Sequence, residues 1–297
     1  MNFAARSCPS CGAEVDFPPD QIGQVCAFCD TPLVHLDDVE RAPVDQVANF
    51  LLDRTAAALR LQQRLQGSWL APEGVRKAAH LDALDDVLVP FWCYDASARS
   101  SYRADVGIHW YETVTYTVKV NGKTQVRTKQ VKHTEWHPLS GSHVHLYRNH
   151  LVSGSVGITE EEANELEPFD LGKLHPYDPT RIAGRIAERP TVAHEEARKV
   201  AAHELAQLEN SAIRKFLPGD EVRGVHNQTT TEIGEVRLVL LPVWVSSWRH
   251  KDKVFRLLVN GQTGEVVGLV PKSGLKIFAL VIAFFILVAL TVLVVSS

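Results

Sequence analysis

"YETVTYTVKVNGKTQVRTKQVKHTEWH", residues 111–137, contains the clearest hairpin signal of the chain. Both sides of the Asn121-Gly122 dipeptide show the alternating pattern of β-strands and are rich in β-branched and aromatic residues. Asn-Gly supplies the two positive-φ residues of a type I′ turn, which joins antiparallel strands. The stretch therefore predicts a long β-hairpin at the centre of a β-rich protein.

The same hairpin is basic, although the whole chain has a net charge of -4. From Tyr111 to His133, one acidic residue, Glu112, stands against five basic residues: Lys119, Lys123, Arg127, Lys129 and Lys132. Basic side chains among aromatic rings can follow a nucleic-acid backbone. Lysine and threonine on an exposed ribbon also keep a sheet edge soluble. Both interpretations stay open.

Histidines cluster at the end of the hairpin and just beyond it: His133, His137, His143, His145 and His150. In a strand, His143 and His145 would point to one face because they are two residues apart. They are candidates for a second metal site, and with it for a metal-dependent hydrolase. Surface histidines that only form hydrogen bonds are the alternative, since no acidic residue or cysteine joins them at a recognised ligand spacing.

A strand motif appears twice in the chain, as LVPFWCYD from Leu88 and as LLPVWV from Leu240. Pro90 and Trp92 of the first copy match Pro242 and Trp244 of the second. Each copy reads as a strand that leads into a hairpin. Amphipathic helices are predicted after residue 42 and over 193–217. The pattern predicts an α+β fold with two related halves.

Two Cys-x-x-Cys pairs lie near the N-terminus, at Cys8, Cys11, Cys26 and Cys29. Four thiolates at this spacing close a tetrahedron around zinc, and such a closed site is structural. A redox dithiol is the rival interpretation of either pair alone. The spacing predicts a zinc ribbon with one zinc ion and, because thiols persist in reducing compartments, a cytoplasmic N-terminal part.

The C-terminal end is strongly apolar. Nineteen residues from Ile277 to Val295 contain no charge, glycine or proline, and about twenty apolar residues are needed to cross a bilayer. Lys272 and Lys276 precede this segment, so the positive-inside rule places the body in the cytoplasm. No export signal is evident in the first ten residues. The sequence predicts a tail-anchored protein of the plasma (inner) membrane with a single transmembrane helix.

Taken together, these segments predict five regions along the chain. They are a zinc ribbon (1–36), a helical segment (42–80), a first β-rich half with the long hairpin (81–158), a helix with the second β-rich half (159–273) and the transmembrane helix (276–295).

The ribbon CPSCG…CAFC, the segments LVPFWCYD, PGDEVR, LLPVWV and VNGQTGEVVGLVPKS, and the terminal apolar helix resemble a family of uncharacterised bacterial zinc-ribbon membrane proteins. Members are often labelled primosomal helicase-like, from the ribbon alone. The resemblance implies zinc on the four cysteines, a cytoplasmic α+β body and a membrane anchor. It implies no helicase activity, because this chain lacks the motor motifs.

The leading functional hypothesis is a non-enzymatic, membrane-tethered adaptor that binds a protein partner in envelope maintenance or the stress response. A tether raises local concentration without new contacts. The alternative is a tethered nucleic-acid-binding protein that uses the ribbon and the basic hairpin. A metal-dependent hydrolase built on the histidine cluster is the third hypothesis.

Overall fold

The computed structural model describes residues 4–7, 14–17, 21–25, 32–34, 44–73, 75, 84–120, 123–250 and 253–296. Twelve strands lie in this part of the chain: β1 (Ala4–Ser7), β2 (Glu14–Phe17), β3 (Gln21–Val25), β4 (Pro32–Val34), β5 (Gln46–Ala48), β6 (Leu84–Val120), β7 (Lys123–Ser153), β8 (Leu174–Pro176), β9 (Ile186–Glu188), β10 (Glu221–His250), β11 (Lys253–Asn260) and β12 (Val266–Val267).

The α-helices whose bounds lie within the described residues are α1 (Arg54–Gly67), α2 (Glu160–Leu166), α3 (Pro179–Ile182), α4 (His194–Phe216) and α5 (Gly274–Ser296). A short 3-10 helix spans Leu171–Lys173. Local capping explains where several helices begin. The side chain of Asp53 accepts a hydrogen bond from the backbone of Ala56 at the start of α1, and Thr159 forms a reciprocal capping box with Glu162 at the start of α2.

Ten strands form one mixed sheet, whose main path runs β12-β11-β10-β6-β9-β3-β4. β7 pairs with β6, while β5 pairs with β10 and β8. β11 is antiparallel to β10 and β12, β3 is antiparallel to β4 and β9, and β5 is antiparallel to β8, but β5 runs parallel to β10 and β9 runs parallel to β6. β1 and β2 form a separate two-stranded sheet.

The predicted fold class is wrong in its organisation. Strands from both predicted halves belong to the same mixed sheet, so there are not two separate strand-hairpin halves. The N-terminal region is also no self-contained ribbon, because β3 pairs with β9 through Gln21 with Glu188 and Gly23 with Ala187. Among the described residues, no group of three or more His, Cys, Asp or Glu side chains could hold a metal. Cys8, Cys11, Cys26 and Cys29, the predicted zinc ligands, lie outside the described residues.

The repeated strand motif nevertheless has a structural meaning. Its two copies lie in β6 and β10, which are neighbours in the sheet. The Pro90 carbonyl accepts a hydrogen bond from Gly154 at 2.9 Å, and the Pro242 carbonyl accepts one from Gly261 at 2.8 Å. A Cβ atom on either glycine would lie 2.9 Å from the proline carbonyl oxygen that it approaches. Both glycines are therefore required by the close backbone contact.

The helix predicted after residue 42 begins later than expected. Val47 lies in β5 and pairs with Leu240 of β10, so the apolar residues before Asp53 belong to the sheet. The helix proper starts at Arg54. The second predicted helix is confirmed as α4, with bounds one residue inside the expected ones at each end.

The chain divides into two compact units, and each combines separate segments. Unit 1 contains residues 1–93, 151–197 and 237–297, and unit 2 contains 94–150 and 198–236. In unit 1, Phe91 and Cys93 of β6 are buried in a core with Val239 and Leu241 of β10. The five predicted region boundaries stay predictions.

Unit 2 has a smaller core between α4 and its strands. Tyr102 and Ala104 of β6 pack with Ile213 of α4 and with Leu217, the residue that follows the helix. Partly buried side chains from β7 and β10 complete this cluster.

The C-terminal helix α5 exposes several large apolar side chains, among them Phe278, Phe284 and Phe285. A membrane span needs about twenty consecutive apolar residues. Within the part of the chain that the structure describes, no helix is long and apolar enough to cross a membrane. The predicted transmembrane helix is corrected accordingly. The predicted plasma-membrane location stays a prediction.

Candidate functional site

The outer part of the β6–β7 hairpin, residues 108–120 and 123–137, is called the arm below. β10 begins at Glu221, where Asp220 donates its backbone N–H to the carbonyl of Gly107 at 2.9 Å. The Asp220 side chain in turn accepts from the backbone of His109 at 2.8 Å. Beyond this point the described part of the arm consists of β6 and β7 alone. Asn121 and Gly122, the predicted turn, lie outside the described residues.

One face of the arm combines aromatic and charged side chains from both strands. Trp110 stacks on His133, with ring centroids 4.5 Å apart and an interplanar angle of 20°. His133 also lies 3.2 Å from the carboxylate of Glu112. Further out, the ammonium of Lys129 lies 5.8 Å from the centroid of the Tyr116 ring. These contacts show that even-numbered residues of β6 and odd-numbered residues of β7 share a face.

Strand alternation extends this face towards the tip of the arm, because residues two apart in a strand point the same way. Arg127 and Lys123 therefore lie on the same side as Lys129. We name this surface the aromatic–basic face, and its aromatic and charged members are Trp110, Glu112, Tyr116, Lys123, Arg127, Lys129, His133 and Glu135. Trp110 is 48% exposed and Tyr116 is 39% exposed. The large aromatic side chains are thus available for contact.

The structure separates the five basic residues that the sequence grouped together. Alternation places Lys119 and Lys132 on the opposite face from the other three. Lys132 lies 3.3 Å from the carboxylate of Glu221, which also contacts His109 at 2.8 Å. The pKa of Glu221 is lowered, because hydrogen bonds from His109 and Lys132 favour its charged form. Lys132 is therefore engaged at the base of the arm.

Below the arm, the carboxylate of Glu209 is fully buried between α4 and the strands of unit 2. It contacts His143 Nδ1 at 2.7 Å and accepts hydrogen bonds from Ser100 at 2.9 Å and from Tyr147 at 3.0 Å. Burial by itself would raise the pKa of Glu209, but these hydrogen bonds lower it below its ordinary value. Burial and the adjacent carboxylate raise the pKa of Tyr147. This network fixes α4 against β6 and β7.

The histidine cluster does not form a metal site within the described residues. The rings of His143 and His145 are parallel, with centroids 6.1 Å apart, as expected for one strand face. However, His143 is bound to Glu209, and His150 contacts Glu204 at 2.9 Å. His137 lies 3.7 Å from Glu135. Each of these three histidines thus contacts one carboxylate. Among the described residues, no further side chain joins any of these pairs to complete a metal site.

Sequence reasoning missed Glu209, because alternating charges on α4 read as a solvent-exposed face. The signal was its spacing: Glu209 lies four residues after Leu205 and four before Ile213, both fully buried. Residues four apart share a helix face. Conversely, Leu208 and Phe216 are exposed, although both are apolar residues of α4.

No protein-family model matches the chain. The chain is similar to a protein of Bacillus subtilis (strain 168) that is named "Uncharacterized protein YdjG", with 26% identity over 239 residues. This similarity covers 79% of the chain and 65% of the length of that relative. No solved structure matches. The resemblance to zinc-ribbon membrane proteins therefore stays a prediction.

Proposed function

We propose that this protein is a non-enzymatic adaptor that binds a protein partner through the aromatic–basic face of its arm. The observation that carries this proposal is the exposure of Trp110 and Tyr116 beside Arg127 and Lys129. Tyrosine, tryptophan and arginine are the residues most enriched at the energetic centres of protein interfaces. Neither zinc nor a membrane anchor is part of this proposal.

The charge of the arm indicates the kind of partner. Arg127, Lys129 and Lys123 lie on one face with two carboxylates, Glu112 and Glu135, which lie nearer the base of the arm, whereas the whole chain is net negative. Complementary charges accelerate association and suppress wrong partners. We therefore expect the partner to present an acidic surface that also contains apolar side chains.

The test compares two variants with the same change of net charge. Arg127→Gln with Lys129→Gln removes two positive charges from the aromatic–basic face. Thr124→Glu with Thr128→Glu adds two negative charges to the opposite face of the same strand. We expect the first variant to weaken partner binding about tenfold or more, and the second to retain most of the affinity. Proteins that the unmodified chain captures from a nuclease-treated extract are identified by mass spectrometry. Calorimetry with the purified partner then measures its affinity for each variant.

Equal affinities of the two variants would contradict the proposal, because total charge rather than the aromatic–basic face would then govern binding. Trp110→Ala provides a charge-neutral check. Truncation of an interface tryptophan commonly costs about 2 kcal/mol or more. Circular dichroism and thermal unfolding must show that each variant remains folded.

A second candidate function is the binding of single-stranded nucleic acid. The contact of Lys129 with the Tyr116 ring favours it, because bases stack on aromatic rings while nearby cations bind phosphates. A fluorescent oligothymidylate tests this candidate by anisotropy. We expect an affinity that falls steeply with salt, with a shallower slope after Arg127→Gln and Lys129→Gln. Absence of binding at low salt would reject it.

A further inference from the structure

The two edges of the arm differ in the way they are protected from pairing. The edge strand β7 carries Lys123, Arg127, Lys129 and Lys132. Lysine and arginine on an edge strand discourage another strand from adding to it. From residue 110 to 119, β6 carries only two charges, Glu112 and Lys119. Its remaining residues are threonine, valine, tyrosine and tryptophan, which strongly favour strands.

Among the described residues, no strand covers this weakly protected edge of β6 along the arm. On the side away from β7, the neighbour of β6 is β10, which begins at Glu221 next to His109. Residues 110–120 thus extend past Glu221, the first residue of β10. Within the described part of the chain, β7 is the only strand that pairs with them. An open edge presents unpaired backbone N–H and C=O groups to any suitable strand.

The sequence of this edge is nearly symmetrical about Tyr116. Thr115 and Thr117 flank the tyrosine, and Val114 and Val118 lie next to them. If two copies of β6 pair in an antiparallel manner about this centre, Tyr116 lies opposite Tyr116, threonine opposite threonine and valine opposite valine. Aromatic, β-branched and threonine pairs of this kind stabilise antiparallel strands.

Charge complementarity supports the same arrangement. In this register Lys119 lies opposite Thr113 and Glu112 lies opposite residue 120, so no like charges meet across the new pair. The tip of each arm, with Lys119 and Lys123, approaches the start of β10 in the other copy. Asp220, just before β10, and Glu221, its first residue, have half-exposed carboxylates there.

We propose that two copies of this chain associate through the β6 edges of their arms, in an antiparallel pair centred on Tyr116. The pair joins two hairpins into a four-stranded sheet, β7-β6-β6-β7, related by a twofold axis. This inference goes beyond the proposed function, because the pair forms through the backbone edge of β6, whereas the proposed partner contacts the side chains of the aromatic–basic face. Tyr116 is the one residue that takes part in both. The dimer would present two such faces side by side and would bind a multivalent partner with higher avidity.

Site-specific disulfide formation gives the first test. Residues directly opposite in an antiparallel pair have Cα atoms about 4.5–5.5 Å apart, which suits a disulfide. We expect Tyr116→Cys to form a cross-linked dimer of twice the 33.0 kDa chain mass on mild oxidation. Thr128→Cys, an exposed site on β7, is the matched control. The full chain is used in non-ionic detergent because α5 exposes apolar side chains.

A cross-link that is no stronger in Tyr116→Cys than in the control or in the unmodified chain would overturn the proposal. The unmodified chain is included because it already contains five cysteines.

Charge variants test the register independently. Thr115→Lys with Thr117→Lys places like charges opposite each other at two points of the pair, so we expect loss of the dimer in sedimentation experiments. Thr115→Glu with Thr117→Lys places opposite charges at the same points, so we expect the dimer to persist. Identical behaviour of the two variants would overturn this register. Partner binding by the dissociated variant separates failure of the dimer from failure of the adaptor proposal.

Discussion

At the scale of single residues, the buried carboxylate of Glu209 is the most constrained group of unit 2. It contacts three polar side chains and has no exposed surface. Removing one member of such a network costs more than the hydrogen bond itself, because the remaining buried groups lose their partner. Glu209 therefore determines whether α4 remains attached to the strands that carry the arm.

We predict that Glu209→Gln lowers the free energy of unfolding by about 1–3 kcal/mol at neutral pH. The folded-state pKa of Glu209 is below its ordinary value of 4.5, so its charged form stabilises the fold above that pH. This contribution is lost as the pH falls from about 4.5 through the lower folded-state value. Urea unfolding measures the stabilities of the variant and the unmodified chain between pH 7 and pH 3. We expect the difference between them to shrink as the pH falls.

Glu204→Gln is the matched control, because Glu204 lies on the same helix and contacts His150 in a more exposed position. We expect it to be less destabilising. A Glu209→Gln variant with unchanged stability at every pH would show that the network does not hold α4.

At the scale of elements, helix α1 shows how capping and packing act together. Asp53 accepts a hydrogen bond from the backbone of Ala56 at 2.7 Å, which fixes the first turn. The buried face of the helix, with Leu61 and Leu65, packs against Trp244 and Leu257. The helix therefore depends on both its cap and the sheet of unit 1.

We predict that Asp53→Ala destabilises the protein by about 1 kcal/mol, because an unpaired N–H remains at the helix start. Asp53→Asn should retain most of the stability, since asparagine is also a good N-cap residue. Thermal unfolding compares the two variants. Equal losses would indicate that the charge, and not the cap geometry, is what matters.

Local signals allowed the central hairpin and α4 to be predicted from sequence, since turn chemistry and helix periodicity depend on neighbouring residues. The start of α1 was misplaced because the apolar segment around Val47 fits either a strand or a helix until its partner Leu240 is known. The spacing of Glu209 from Leu205 and Ile213 indicates its burial, but its hydrogen-bond partners Ser100 and Tyr147 could not be predicted, because they come from distant strands. The repeated Pro–Trp motif was detected, but its placement in adjacent strands was not.

At the scale of the whole molecule, the arm is separable from the cores. The buried apolar residues of β6 end at Val106, and β7 joins the core of unit 2 from Leu139, so the arm contributes little to the described cores. Deletion of residues 112–119 and 124–131 shortens both strands equally and preserves their alternation. We predict that this variant loses partner binding while its melting temperature stays close to that of the unmodified chain.

Differential scanning calorimetry and the binding assay described above measure these two properties. A large fall in melting temperature would mean that the arm is part of the folding unit and not an appended binding element. Retained binding would place the partner surface elsewhere in the molecule.

The length of the bare hairpin has a consequence for recognition at a distance. A strand advances about 3.3 Å per residue, so the ten residues from Trp110 to Lys119 span roughly 30 Å. Under the proposed function, a partner bound near Lys123 would therefore lie well beyond Glu221, where β10 begins. Under the same proposal, Lys123 near the tip would contact the partner first, whereas Trp110 would contact it closer to the base of the arm.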